Sequence, residues 1–328
     1  ILVSQLALMV SILALGMVSP SQVPVATAVL ALIVSFFSAS QDIVIDAYRT
    51  DVLSKEEFGP GAALHIAGYR IAILISGSVA LILSDHFSWH FVYALMAAVL
   101  SVGVFATFFA PEPSIQLRPP RSLHDAIVLP FIEFFKRRGS LEILAFILLY
   151  KIDVVLATAL TTPFMMELGF TRTDIGVVTK GFGLIATIVG TLAGGLLMPK
   201  LGMKRSLLYF GIIQGVSTLT FFALSEAGHN YPLMVASIAV ENVCTGLGTA
   251  AFAAFIMSIC DKRYTATQYA LLTSFMAITR VVGGAPTGFM VKALGWSDFF
   301  LFCVVVMIPG LLLLSRYDRW QQIAQEAS

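Results

Sequence analysis

The chain has 328 residues, 58% of them hydrophobic and only 12% charged, and its formal net charge is +1. That composition excludes a soluble globular protein and the basic face of a nucleic-acid binder, because most of the surface would have to be apolar. Its three cysteines, Cys244, Cys260 and Cys303, are too few and too scattered for a disulfide framework or a thiolate metal site.

A helical span needs roughly 20 mostly apolar residues. The chain offers about ten such stretches, near 1–18, 23–47, 61–84, 88–110, 141–167, 173–198, 206–226, 231–259, 264–293 and 296–315. The predicted class is therefore an all-α integral membrane protein. The first stretch lacks an initiator Met and a basic leader, so it reads as a span exposed by truncation rather than a signal peptide.

The second stretch carries Asp42 and Asp46, four apart on one helix face, with Arg49 three further on. Burial raises a carboxyl pKa while a neighbouring cation lowers it, so this cluster can be read as proton-accepting or gate-forming. The alternative is a static charge pair. Arg70 lies inside the third stretch and needs an acid or an anionic ligand, because arginine stays charged.

Positions 111–140 form the longest connection. It contains Pro111, Pro113, Pro119 and Pro120 and ends in Lys136, Arg137 and Arg138. Leu123, Ile127, Phe131 and Phe134 recur at helical spacing, which predicts a helix on the membrane surface, with Pro130 against one unbroken helix. The basic end would attract anionic lipid. This linker divides four spans (1–110) from six spans and a short tail (141–328).

In the second part, Lys151 and Glu241 fall near the middle of their spans. Lys151 is suited to a substrate carboxylate and Glu241 to a coupling proton; alternatively they neutralise each other, or Lys151 pairs with Asp153. Lys180 and Arg280 are further embedded cations, suited to an acidic ligand or to an interhelical salt bridge. Asn242 and Gln214 can serve sugar hydroxyls or act as interhelical glue. Eight such charges inside the apolar stretches imply a wet cavity and a polar solute that moves. No nucleophile elbow, His-rich motif or metal-ligand spacing points to catalysis, so the chain is read as neither an enzyme nor a metal binder.

Basic residues fix the orientation. One set of connections holds Arg49, Lys55, Arg118, Arg121, Lys136–Arg138, Lys200, Lys204, Arg205, Lys262, Arg263, Arg316 and Arg319; the other holds Arg172 and, near a span end, Lys292. The positive-inside rule makes the first side, and both chain ends, cytoplasmic.

Asp51 precedes Arg70 by 19 residues, and Asp261 precedes Arg280 by 19, each pair leading to a tryptophan, Trp89 or Trp296. This points to an internal repeat. Gly195-Leu196-Leu197-Met198-Pro199-Lys200-Leu201-Gly202-Met203-Lys204 resembles the loop motif of major facilitator transporters, with Pro199 where that motif has an acid. Parallel repeats are the plan of that family. About ten of twelve helices would then be present, with two before Ile1.

A closer resemblance is to the AmpG-type muropeptide permeases. It is carried by Ser38-Ala39-Ser40-Gln41-Asp42-Ile43-Val44-Ile45-Asp46-Ala47, Thr50-Asp51-Val52-Leu53, Gly68-Tyr69-Arg70, Leu149-Tyr150-Lys151, Gly176-Val177-Val178 with Lys180, Glu241-Asn242 and Ala266-Thr267-Gln268. Asp153 stands two residues after Lys151, where the family has its acid at three. The resemblance implies proton-coupled import of anhydro-muropeptides across a bacterial inner membrane, for cell-wall recycling. It implies no cofactor beyond the proton gradient, a glycopeptide substrate, a lipid bilayer and a monomer. The rival readings are a facilitator for another large anionic conjugate and a membrane-embedded envelope-modifying enzyme.

Overall fold

The computed structural model describes residues 1–113, 122 and 124–327. Arg118, Arg121, Leu123, Pro119 and Pro120 of the predicted linker lie outside the described residues. Among the described residues there is no β-strand. Apolar runs without internal backbone partners in lipid must close their hydrogen bonds within each segment, and helices do so.

The helices are α1 (Leu2–Gly16), α2 (Pro24–Val52), α3 (Phe58–Ser84), α4 (Trp89–Phe109), α5 (Leu129–Lys136), α6 (Ser140–Glu167), α7 (Arg172–Leu201), α8 (Met203–Ala227), α9 (Tyr231–Ile259), α10 (Thr265–Gly284), α11 (Thr287–Leu294), α12 (Trp296–Leu313) and α13 (Tyr317–Ala327). Among the described residues, eight helical stretches are long and apolar enough to cross a membrane. The two other predicted spans are not among them. Helix α1 has 15 residues, and the stretch at 264–293 divides into α10 and α11 at Ala285 and Pro286, where the proline has no N–H to donate.

Other helices are irregular inside. Helix α6 is interrupted at Tyr150–Lys151 and at Leu160, shortly before Pro163. Helix α8 is interrupted at Thr218, and α3 and α7 contain π-helical stretches at Ile75–Val79 and Gly176–Phe182. Such bulges recur at functional positions in helices. Pro309, by contrast, lies inside α12 without a break. Both repeat tryptophans, Trp89 and Trp296, open a helix.

The chain divides into two compact units. The first is Ile1–Val52 with Gly68–Arg118; the second is Leu53–Ala67 with Pro119–Ser328. In the first, α1 packs on α2 and α4. The buried amide of Gln5 there accepts a hydrogen bond from Thr107 Oγ1 at 3.1 Å.

The second unit holds two apolar clusters. Phe146, Tyr150, Phe252, Phe255 and Trp320 belong to one, and Tyr150 stacks on Phe252 with ring centroids 5.1 Å apart. Phe164, Phe221, Phe299 and Phe300 belong to the other. Helices α7 and α9 cross at glycines: a Cβ on Gly190 would stand 2.1 Å from the Val243 carbonyl oxygen. Only a hydrogen side chain permits that approach.

Linker helix α5 docks on the second unit. Pro130 sits in its first turn, where no N–H is needed. Of the predicted apolar face, Phe134 is fully buried, whereas Ile127 and Phe131 are exposed. The docking is pinned by Asp261, between α9 and α10. Arg137 donates to Asp261 Oδ2 at 3.3 Å, to Gln268 Oε1 at 3.2 Å and to the Ile259 carbonyl at 3.0 Å. Arg263 Nη2 donates to Asp261 Oδ2 at 2.6 Å. Burial alone would raise the Asp261 pKa, but the Arg263 hydrogen bonds and the two guanidinium charges outweigh it and hold it below its ordinary value.

Candidate functional site

The interruption of α6 decides the geometry of the site. Tyr150 above it belongs to one apolar cluster, and Ile152 below it packs against the other. Lys151 is the residue at the break, with φ −113° and ψ 4°, and Asp153 lies in the first turn of the helix that restarts. A helix N-terminus favours a negative group, so the break itself helps hold the Asp153 carboxylate.

Opposite the break, α8 contributes Gln214 and Ser217, and α9 contributes Glu241, Thr245 and Thr249, spaced four apart on one helix face. Lys151 Nζ donates to Gln214 Oε1 at 2.6 Å, to Thr249 Oγ1 at 3.1 Å and to the Thr245 carbonyl at 3.4 Å. An ammonium has three protons to give, and these three acceptors match it. Gln214 Nε2 in turn makes long contacts of 3.4 Å with both oxygens of Asp153. The amide bridges the cation and the carboxylate, and reversing it would set its NH₂ against the ammonium. Gly248 leaves the room: a Cβ there would lie 2.4 Å from Gln214 Oε1.

Glu241 is 2% exposed and Asp153 1% exposed. Ser217 Oγ lies 2.6 Å from Glu241 Oε2 and also 2.6 Å from the Gln214 carbonyl oxygen. Thr245 Oγ1 donates to Glu241 Oε1 at 3.3 Å. Two buried carboxyls thus share one network with one ammonium.

The remaining predicted residues stand apart from that network. Asn242, next to Glu241 on α9, donates to the Ile238 carbonyl at 2.8 Å and accepts from Thr187 Oγ1 at 2.8 Å. This fits the reading of it as interhelical glue between α7 and α9. Lys180 in the π-helical stretch of α7 and Arg280 on α10 are exposed. Neither has a hydrogen-bond or ion-pair partner among the described residues, which leaves both cations available to an anionic ligand. In the first unit, Asp42 is exposed and Arg49 Nη2 donates to Asp46 Oδ1 at 2.9 Å. Arg70 is half-buried, and its buried Nε lacks a hydrogen-bond partner among the described residues.

Sequence reasoning missed Ser217, Thr245, Thr249 and Gly248 as parts of the site, and it gave Gln214 no structural role in holding charges. The spacing of Glu241, Thr245 and Thr249 was a readable signal for one polar face. The pairing of Lys151 with Gln214, 63 residues away, has no local signature.

Comparison with known proteins gives this network a setting. The Major Facilitator Superfamily model matches residues 1–152 and 143–321. The chain is 45% identical over 316 residues to the anhydromuropeptide permease of Escherichia coli (strain K12), covering 96% of this chain and 64% of that protein. It is 31% identical over 297 residues to putative transporter AmpG 4 of Rickettsia felis, covering 88% of this chain and 72% of the relative. Among solved structures, the proton:xylose symporter XylE superposes with a TM-score of 0.66 at 9% identity, over 96% of this chain and 79% of that one. The human organic anion transporter MFSD10 gives 0.63 at 14% identity, over 95% and 76%. At such identities the structural likeness concerns the fold. The sequence relatives named here are transporters rather than enzymes. With its helical spans and a family model matched along nearly its whole length, the chain belongs to the Major Facilitator Superfamily.

Proposed function

We propose that the protein imports anhydro-muropeptides from periplasm to cytoplasm across a bacterial inner membrane, driven by the proton gradient. The observation that carries the substrate class is 45% identity, spread over 96% of the chain, to a protein named anhydromuropeptide permease. The chain spans 64% of that relative's length.

The chemistry of the embedded charges supports it. A muropeptide carries carboxylates on its stem peptide, and Lys180, Arg280 and Arg70 are the cations suited to receive them. Lys151 belongs to the internal network, from which it can be drawn by a stronger anionic acceptor. Glu241 carries the coupling proton, and Asp42 and Asp46 serve proton exchange or gating at the cytoplasmic end of α2. The excess of basic residues on one set of connections supports an orientation with both chain ends in the cytoplasm.

The test is uptake of labelled anhydro-muropeptide into right-side-out membrane vesicles containing the full-length protein, with and without a protonophore. The reading predicts accumulation that the protonophore abolishes. Accumulation indifferent to the protonophore would remove the proton coupling, and no uptake by folded protein would remove the substrate.

A further inference from the structure

The interruption of α8 contains a hydrogen-bond arithmetic that does not balance for an ionised Glu241. Ser217 has one hydroxyl proton and stands 2.6 Å from two oxygens, the Gln214 carbonyl and Glu241 Oε2. A carbonyl can only accept, so Ser217 gives its proton to Gln214. The second contact, also at 2.6 Å, is balanced when Glu241 carries a proton to give. One residue further on, Thr218 is fully buried and its Oγ1 has no hydrogen-bond partner among the described residues. An unsatisfied buried hydroxyl is costly and rare.

Other threonines in these helices show what Thr218 lacks. Thr158, Thr179, Thr191 and Thr249 each donate to the carbonyl four residues earlier, at 2.6–2.8 Å. The corresponding carbonyl for Thr218 is that of Gln214, which Ser217 already occupies. At the same place the Thr218 N–H turns to the Val216 carbonyl, so the backbone is bent at the point where the two hydroxyls compete.

We propose that Ser217 and Thr218 are positioning residues for the proton on Glu241, exchanging places on the Gln214 carbonyl as that proton leaves. In the proton-loaded state Glu241 donates to Ser217, Ser217 donates to Gln214, and Thr218 is idle. On release, the O–H bond of the Glu241 carboxyl breaks, water takes the proton, and the electron pair remains on the carboxylate. Ser217 then turns to donate to the carboxylate, and Thr218 takes over the Gln214 carbonyl. Every buried donor has an acceptor in the second state: the carboxylate gains the Ser217 hydrogen bond as it forms, and Thr218 fills the place that Ser217 leaves on the Gln214 carbonyl. Gln214 is also the residue whose amide bridges Lys151 and Asp153, so the exchange touches the rest of the site.

The titratable groups acting on Glu241 are Lys151 and Asp153 on α6, Cys244 on its own helix and Cys303 on α12. Helix α7 faces α9 with Thr187 and Thr191, which do not titrate, and Lys180 lies exposed on its preceding π-helical stretch. The proposal rests on the proton-coupled reading above, but its test needs no substrate.

The full-length protein in lipid bilayers is titrated while the infrared carbonyl stretch of protonated carboxylic acids is followed. A buried acid band present at neutral pH and absent from Glu241→Gln is expected. Thr218→Val keeps the shape but removes the hydroxyl, and should move the band's midpoint up by about 0.4–1 pH unit, the worth of one hydrogen bond. Ser217→Ala should move it up further, by about 1–2 units, since a bond to a charge is lost. Thr218→Ser should restore the native midpoint. A band that survives Glu241→Gln, or a Thr218→Val midpoint equal to the native one, overturns the proposal. A protein that passes this titration yet takes up no muropeptide would retain the proton device and lose only the substrate.

Discussion

The two units treat the same kind of residue in opposite ways. In the second, three charges inside apolar helices are enclosed by side chains from other helices, while Lys180 and Arg280 stay exposed: Lys151 is held from α8 and α9, and Asp153 and Glu241 are almost completely buried. In the first, Asp42 is exposed and the Asp46–Arg49 hydrogen bond runs within one helix turn. A partner three residues away comes with the helix, whereas a partner 63 residues away exists only once the bundle has packed. The second unit thus carries charges whose surroundings are set by tertiary structure, and the proposed proton coupling is assigned to this set.

Substitutions that distinguish the two kinds of charge sharpen this comparison. The largest effect is expected from Lys151→Met, which leaves Asp153 and Gln214 without their cation in a buried site. Breaking such a set costs about 3–5 kcal/mol, read as a fall in thermal stability of the purified protein together with loss of uptake. Native-like stability in this variant would show that the enclosed charges are no more dependent on packing than the local ones.

Asp261→Asn comes next and probes the second unit outside the membrane. It removes the acceptor shared by Arg137 and Arg263, at a cost of about 3 kcal/mol, the lower end for a buried pair. The Asp261 pKa is lower in the folded protein than in the unfolded chain, where it is about 3.9. Its stabilisation is therefore complete above that unfolded value and is lost as the pH falls through the folded one. Unfolding curves of the native protein and the variant should converge only on the acid side of about pH 4. Convergence already near neutrality would contradict the depressed carboxyl.

Asp46→Asn should have the smallest effect on folding. The pair lies within one helix turn, with Arg49 9% and Asp46 24% exposed, and Asn keeps the shape and an oxygen to accept, so the cost is about 1 kcal/mol and melting should change little. A change in uptake without a change in melting would assign Asp46 to gating or proton exchange. A large loss of stability would instead place it among the packed charges.

Much of this was legible in the sequence. Apolar length located the helices, and embedded charges separated a transporter from an inert membrane anchor. The spacing of Glu241, Thr245 and Thr249 marks a polar stripe, because 3.6-residue periodicity depends on sequence alone. The break at Lys151 was not legible: no glycine or proline stands there, and the different apolar clusters that Tyr150 and Ile152 join on either side of it are set by tertiary packing. Nor was the role of Gln214, whose amide looks in the sequence like any other embedded polar group. The stretch at 264–293, read as one span, is divided at Pro286, while Pro309, of the same residue type, interrupts nothing.

The central claim is that the proton which drives import is the one on Glu241. It is tested most directly by comparing gradient-driven accumulation with substrate exchange across membranes that contain Glu241→Gln, an analogue of the proton-loaded state. The account predicts that exchange of labelled for unlabelled anhydro-muropeptide continues while accumulation against a gradient stops. Accumulation that persists and remains sensitive to a protonophore would place the coupling proton elsewhere and contradict the account.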